Sequence, residues 1–119
     1  MEIRMATHGF LRLGVCTPSA RVADVVYNCE QIRKVVTEST DCRFFLFPEL
    51  CVTAYTCGDL FYQPLLVEKA RKALVQLAEF TAERRVTMVV GAPIAHRGRL
   101  FNCAVFLSGG RILGVVPKM

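Results

Sequence analysis

The spacing of its apolar residues constrains the fold of this chain more than any other feature. Apolar residues recur three and four positions apart over residues 22–36 and 66–78, which predicts two amphipathic helices. Short apolar runs flank these segments and predict strands at residues 11–17, 42–46 and 86–92. Strands that alternate with helices are typical of an α/β protein with a parallel sheet.

Local signals refine the ends of these elements. Asp24 is suited to cap the first helix, because its carboxylate can accept a hydrogen bond from a free backbone N–H in the first turn. Pro64 is suited to the first turn of the second helix. The run at residues 42–46 is almost continuously apolar, and we therefore expect a strand that is buried on both faces.

The C-terminal third of the sequence changes character. Residues 97–99 predict a turn and residues 100–107 a fourth strand, while Gly109 and Gly110 predict a tight hairpin turn. A fifth strand begins at residues 111–116. The order βαβαβββ predicts an α/β unit that continues into a meander. We interpret residues 1–119 as one unit of a fold that is incomplete at its C-terminus, because the last strand offers an unpaired edge.

Composition excludes several classes of protein. The chain has a net charge of +5, but its basic residues are scattered, which argues against a nucleic-acid partner. No apolar run reaches the ~20 residues of a membrane span, and polar residues interrupt any signal-peptide pattern in residues 1–13. The six cysteines lack zinc-ligand spacing. We expect reduced thiols, no metal and a cytoplasmic location.

Glu49 is the first candidate for chemistry. It follows an apolar strand and Pro48, a position that places it at the carboxyl end of the sheet, where open α/β sheets bind their ligands. Enclosure by Phe47, Leu50 and Tyr55 would raise the pKa of its carboxyl toward that of a general base. Position alone favours this interpretation and that of a solvated loop carboxylate equally.

Lys118 follows a strand and Pro117 in the same manner. Two such strand ends could bring an ammonium and a carboxylate to one edge of the sheet, where the ammonium could stabilise an oxyanion. Spacing alone, however, favours a terminal lysine in water.

Several segments together carry a resemblance to a known family. The sequence around Glu49 and that around Lys118 resemble the first two signatures of the nitrilase superfamily. A narrower match, to the glutaminase domain of NAD synthetases, comes from the longer string after the strand and from three further segments. They are residues 47–61 (FPELCVTAYTCGDLF), Gly9-Phe10-Leu11-Arg12-Leu13, Val22-Ala23-Asp24 with Asn28, and Gly91-Ala92-Pro93 followed by Leu100-Phe101-Asn102-Cys103-Ala104.

The resemblance implies a fold and a set of roles. The fold is part of an α-β-β-α sandwich whose members use a Glu–Lys–Cys triad. Glu49 would be the general base, Lys118 would hold the oxyanion and Tyr55 would line the glutamine pocket. The reaction is thiolate attack on the amide of glutamine, release of ammonia and hydrolysis of a glutamyl thioester. In the family the nucleophilic cysteine lies beyond the lysine, so we expect none of the six cysteines to be the nucleophile.

The resemblance also implies partners. The ammonia would serve an ATP- and Mg²⁺-dependent synthetase domain that amidates nicotinic acid adenine dinucleotide and that these 119 residues do not contain. We expect no cofactor in this segment, a homo-oligomer, and no release of ammonia by the segment alone. Two alternatives stay open, namely another amidase or carbamoylase of the superfamily and a non-catalytic, self-associating half-domain.

Overall fold

The computed structural model describes residues 9–119 of the chain. Residues 1–8, part of the segment that lacks signal-peptide character, lie outside this range. The predicted order βαβαβββ is confirmed, although β1 is shorter and β3 longer than the sequence pattern indicates. The elements are β1 (Leu13–Val15), α1 (Val25–Glu38), β2 (Phe44–Leu46), a short 3₁₀ helix (Gly58–Tyr62), α2 (Pro64–Arg84), β3 (Thr87–His96), β4 (Arg99–Ser108) and β5 (Arg111–Pro117).

Both helices begin as the sequence predicts. The side chain of Asp24 accepts a hydrogen bond of 3.1 Å from the backbone N–H of Tyr27 and so caps α1. Pro64 is the first residue of α2, where the N–H that it lacks would have no partner in the helix. The preceding residue, Gln63, occupies the N-cap position without a side-chain hydrogen bond.

The five strands form one sheet in the order β1-β2-β3-β4-β5. The first three strands pair in parallel, and β3, β4 and β5 pair antiparallel. Two-residue turns at Arg97-Gly98 and Gly109-Gly110 join the antiparallel strands, and all four turn residues have positive φ. Such turns match the twist of the strands that they connect, so the predicted hairpins are confirmed.

The core lies between one face of the sheet and the two helices. Phe45, Met88, Val105 and Leu107 share that face through the strand register and are fully buried. The prediction that β2 is buried on both faces is wrong, since Leu46 is 45% exposed. Both helices pack on the same face, and residues that alternate to the opposite face, here called the outer face, are not covered by them.

The cap of α1 gives a first test. We expect Asp24→Ala to lower the free energy of unfolding by about 1 kcal/mol, because a free N–H in the first turn loses its partner. Gln63→Ala is the matched control at the N-cap of α2, where no side-chain bond is lost. Urea unfolding followed by circular dichroism measures both variants. Equal effects would show that the Asp24 cap contributes nothing.

Candidate active site on the outer face of the sheet

The segment that follows β2 leaves the plane of the sheet and crosses its outer face. The N–H of Phe47 still bonds to the carbonyl of Val89 at 3.0 Å, as in the strand. The chain then turns twice, with hydrogen bonds of 3.2 Å from the N–H of Cys51 to Pro48 O and from the N–H of Thr53 to Leu50 O. These turns place Glu49 above the sheet.

A glycine in β3 permits this crossing. A Cβ atom on Gly91 would lie 2.2 Å from the backbone nitrogen of Leu50 and 2.8 Å from the carbonyl oxygen of Pro48. Such distances are impossible for non-bonded atoms, and only glycine allows two backbones to approach so closely. The loop is fastened here, because the carbonyl of Gly91 accepts a hydrogen bond of 3.1 Å from the N–H of Val52.

Leu50, directly after Glu49, has a positive φ of 54°. A non-glycine residue in the left-handed region costs energy, and such strain persists only where the surrounding structure fixes it. The side chain of Leu50 is buried, which helps to hold this conformation.

A buried asparagine fastens the far side of the loop. The Nδ2 atom of Asn28 donates to the carbonyls of Val52 at 3.1 Å and Arg21 at 2.9 Å, and its Oδ1 accepts from the N–H of Arg21 at 2.7 Å. The N–H of Ala23 bonds to the carbonyl of Thr53 at 2.8 Å. The start of α1, the segment before it and the Glu49 loop are therefore tied together.

Glu49 meets two groups from the distant end of the chain. Its Oε1 atom lies 3.0 Å from Nζ of Lys118 and also accepts a hydrogen bond from Nδ2 of Asn102. The backbone N–H of Lys118 donates to the carbonyl of Asn102 at 2.7 Å. The carboxylate and the ammonium thus meet on the outer face, a contact that the strand ends offered as a possibility although spacing alone favoured a lysine in water. The amide of Asn102 joins them.

The predicted direction of the Glu49 pKa shift is wrong. The hydrogen bond from Lys118, followed by that from Asn102, holds the pKa of the Glu49 carboxyl below its ordinary value of 4.5. The side chain is 38% exposed, so burial does not outweigh two donors that favour the charged form. The same contact raises the pKa of Lys118 above 10.5, and both groups are charged at neutral pH.

The three polar groups lie at one end of an open cleft on the outer face. Its volume is about 360 Å³, and its floor is mainly apolar. A second cavity of about 230 Å³ shares Asn102 with the cleft and is lined mostly by apolar side chains, among them Leu50, Phe61 and Phe101. The cleft can hold a small ligand that has an apolar body and a polar end.

Tyr55, the third residue singled out in the sequence, lies at the surface with 64% of its area exposed. It lines neither the cleft nor the second cavity. Its role in a glutamine pocket stays a prediction.

The cysteines near Glu49 serve the structure of the loop. Cys51 is buried, and its sulfur accepts a hydrogen bond of 3.4 Å from the N–H of Gly91. Burial raises the pKa of this thiol to about 12, so its nucleophilic thiolate form is scarce at neutral pH. The thiol of Cys57 lies 3.0 Å from the carbonyl of Thr53 and holds the end of the loop.

Two simple structural requirements apply to the described part of the chain, one for a metal site and one for a membrane span. Among residues 9–119, no group of three or more histidine, cysteine, aspartate and glutamate side chains could hold a metal ion. Within the same residues, neither helix has the length and hydrophobicity that a membrane crossing requires.

Sequence reasoning gave no role to Asn102 or Gly91, although both belong to the segments that carry the family resemblance. One signal for Asn102 was available. It is the single amide side chain within the otherwise apolar run of residues 100–107, and a polar residue in such a run suggests a specific partner. Nothing in the sequence alone shows that another backbone crosses Gly91.

The close approach at Gly91 gives a second test. We expect Gly91→Ala to lower the free energy of unfolding by about 3 kcal/mol, because the new methyl group displaces the Glu49 loop. Gly114→Ala in β5 is the matched control, since a Cβ atom there meets nothing within 4 Å. Urea unfolding compares the two variants. A Gly91→Ala variant as stable as Gly114→Ala would contradict the packing described above.

Known proteins resemble this chain over almost its whole length. It is 34% identical over 113 residues to the glutamine-dependent NAD(+) synthetase of Mycobacterium tuberculosis, a match that covers 93% of this chain and 17% of the relative. The human enzyme of the same name is 28% identical over 109 residues, covering 90% of this chain and 15% of the relative. The chain thus spans less than a fifth of these curated relatives. No protein-family model matches it.

Solved structures agree with the sequence relatives. A glutamine-dependent NAD(+) synthetase from Cytophaga hutchinsonii superposes with a TM-score of 0.84 at 25% identity, over 92% of this chain and 19% of that one. An amidase from Nesterenkonia sp. superposes with a TM-score of 0.80 at 20% identity, over 91% of this chain and 42% of that one; this amidase belongs to the nitrilase superfamily. The chain is therefore homologous to the N-terminal region of glutamine-dependent NAD(+) synthetases and shares the fold of nitrilase-superfamily amidases.

Proposed function

We propose that this chain contributes two catalytic groups to the hydrolysis of the side-chain amide of glutamine. The observation that carries the proposal is the 3.0 Å contact between Glu49 Oε1 and Lys118 Nζ at the end of the cleft. The homology to glutamine-dependent NAD(+) synthetases supports glutamine as the substrate. In this proposal the segment is part of a glutaminase domain.

The reaction proceeds through a thioester. Glu49 accepts the proton of a cysteine thiol as the sulfur attacks the amide carbon, and Lys118 stabilises the negative charge that develops on the amide oxygen. The proton then passes to the leaving nitrogen, and ammonia departs. Water attacks the thioester after giving a proton to Glu49, and glutamate and the free thiol are released.

The low pKa of Glu49 fits this sequence of steps. The resting carboxylate is ionised at neutral pH and therefore ready to accept a proton. When Lys118 turns its charge toward the oxyanion, Glu49 loses its strongest stabilising contact. Its proton affinity then rises at the moment at which the proton is transferred, as an efficient general base requires.

The nucleophile in this proposal lies in sequence that follows Lys118, as the family resemblance implies. The cysteines of the Glu49 loop support this assignment, because Cys51 is buried with a pKa of about 12 and Cys57 is buried against the carbonyl of Thr53. A solved structure of the Nesterenkonia amidase carries a covalent addition at its active-site cysteine, which supports thiol chemistry on this fold.

The ammonia would be consumed by a synthetase domain that amidates nicotinic acid adenine dinucleotide with ATP and Mg²⁺. Residues 9–119 offer no group of side chains for the metal, so we assign ATP and Mg²⁺ to that other domain. Assembly as a homo-oligomer is part of the same proposal, and the exposed apolar residues of the outer face favour further contacts. These include Leu13, Val15, Leu46 and Val116.

A general amidase is the second candidate. The apolar floor of the cleft suits a short aliphatic amide as well as the methylene groups of glutamine. The Nesterenkonia amidase has been captured with butyramide. Comparing kcat/KM for glutamine and butyramide separates the two candidates, because a glutaminase strongly prefers glutamine.

Substitution of the two charged groups tests the function. In the full-length protein that carries this chain, we expect Glu49→Gln to lower the rate of ammonia release from glutamine by about 10²- to 10⁴-fold, because the general base is lost. We expect Lys118→Met to lower it by about 10²- to 10³-fold, since removal of an oxyanion donor has this effect in other enzymes. A coupled ammonia assay measures both rates.

Glu68→Gln is the matched control. Glu68 also pairs with a cation, Arg71, at 2.7 Å, and this contact lowers the pKa of its carboxyl. It lies on the exposed side of α2, far along the chain from the site, so its loss should leave the rate unchanged. If the Glu49 and Glu68 variants release ammonia equally fast, Glu49 is not the base.

A further inference from the structure

Asn102 contacts both Glu49, through its side chain, and Lys118, through its backbone carbonyl. It lies near the start of β4, opposite Pro93 of β3 in the strand register, and it is a lining residue of both the cleft and the second cavity. We propose that Asn102 is a positioning residue that fixes the Glu49 carboxylate and the Lys118 backbone in one arrangement. The inference rests on the proposed function and adds a residue to it.

The first argument is that two donors contact the same carboxylate oxygen of Glu49. Asn102 Nδ2 and Lys118 Nζ both donate to Oε1 of Glu49. Among residues 9–119, no hydrogen bond to Oε2 is present. Two donors on one oxygen fix the rotation of the carboxylate and leave Oε2 available, so that Oε2 is the atom that accepts the proton of the thiol. A carboxylate held by Lys118 alone could rotate about its terminal bond.

The second argument is the backbone of the same residue. The carbonyl of Asn102 accepts the N–H of Lys118 at 2.7 Å, directly after the last strand pair, Cys103 with Pro117. Pro117 has no N–H and cannot anchor this strand end itself. Asn102 therefore fixes where Lys118 leaves the sheet as well as which way Glu49 points.

The third argument is the rigidity of the support. β4 pairs with β3 on one side and β5 on the other, so Asn102 projects from an interior strand, whereas Glu49 lies on a loop and Lys118 follows an edge strand. A site built on a rigid element holds reacting groups more closely than loops can. A displacement of about 1 Å can slow a reaction about 10²-fold.

The substitution Asn102→Leu in the full-length protein that carries this chain tests the proposal. Leucine keeps the approximate volume and the backbone bond but removes the donor to Glu49. We expect kcat for glutamine to fall about 10- to 100-fold, with KM nearly unchanged. The pKa of Glu49, read from the ¹³C signal of its carboxyl, should rise, because a bond that favours the charged form is gone. The acid limb of the kcat/KM profile should move to higher pH with it.

Two further variants complete the experiment. Thr87→Val removes the 2.7 Å hydrogen bond between Thr87 and Ser108 at the opposite end of the β3–β4 pair and should change neither kcat nor the Glu49 titration. Asn102→Asp keeps the shape of the side chain and serves if the leucine variant fails to fold. Its second carboxylate should raise the pKa of Glu49 further, because like charges oppose ionisation.

Two results would overturn the proposal. One is a Glu49 titration and a kcat that Asn102→Leu leaves as in the wild type. The other is a rise in KM with an unchanged Glu49 titration, since Asn102 would then bind substrate instead of positioning the base. If the full-length wild-type protein that carries this chain releases no ammonia from glutamine, the proposed function is wrong. The Glu49 titration then decides the positioning claim alone, and a midpoint that Asn102→Leu does not move overturns it.

Discussion

The site depends on the contact between two backbones at Gly91. The loop after β2 can lie on the sheet only because this position carries no side chain, and a Cβ atom there would lie 2.2 Å from the nitrogen of Leu50. At that contact the N–H of Val52 in the loop donates a hydrogen bond to the carbonyl of Gly91, and Leu50 adopts a strained, positive φ. The loop therefore holds Glu49 in a fixed position above the sheet, within hydrogen-bond distance of Asn102 on β4 and of Lys118 after β5.

The contacts of Glu49 serve chemistry more than stability. Lys118 is 65% exposed and Glu49 is 38% exposed, and ion pairs between exposed groups contribute little to the free energy of folding. The ion pair instead sets the charge state of the site, with a carboxylate and an ammonium both ionised at neutral pH. Asn102 adds direction to this pair, because it contacts the carboxylate by its side chain and the backbone of Lys118 by its carbonyl.

The sequence was sufficient to predict those features that depend on local pattern. Periodicity predicted the order of elements. The contact between Glu49 and Lys118, 69 residues apart, was only one possibility from strand-end position, and the family resemblance gave the two residues their paired roles. The role of Asn102 depends on the register of β4 against its neighbours, which a single sequence does not specify. The Glu49 pKa was predicted in the wrong direction, because its apolar neighbours in sequence do not enclose it while its two donors come from distant segments. The exposed face of β2 was missed because an apolar run does not show which side the helices cover.

Titration of the Glu49 carboxyl in the wild-type chain tests the central claim most directly. Carbon-detected NMR follows its signal from neutral to acidic pH, and the absence of the signal in Glu49→Gln assigns it. The contacts from Lys118 and Asn102 predict a midpoint below the ordinary 4.5 of a glutamate side chain. A midpoint at 4.5 would mean that the carboxylate is simply solvated, and a higher one that burial dominates; either result would contradict the site described here.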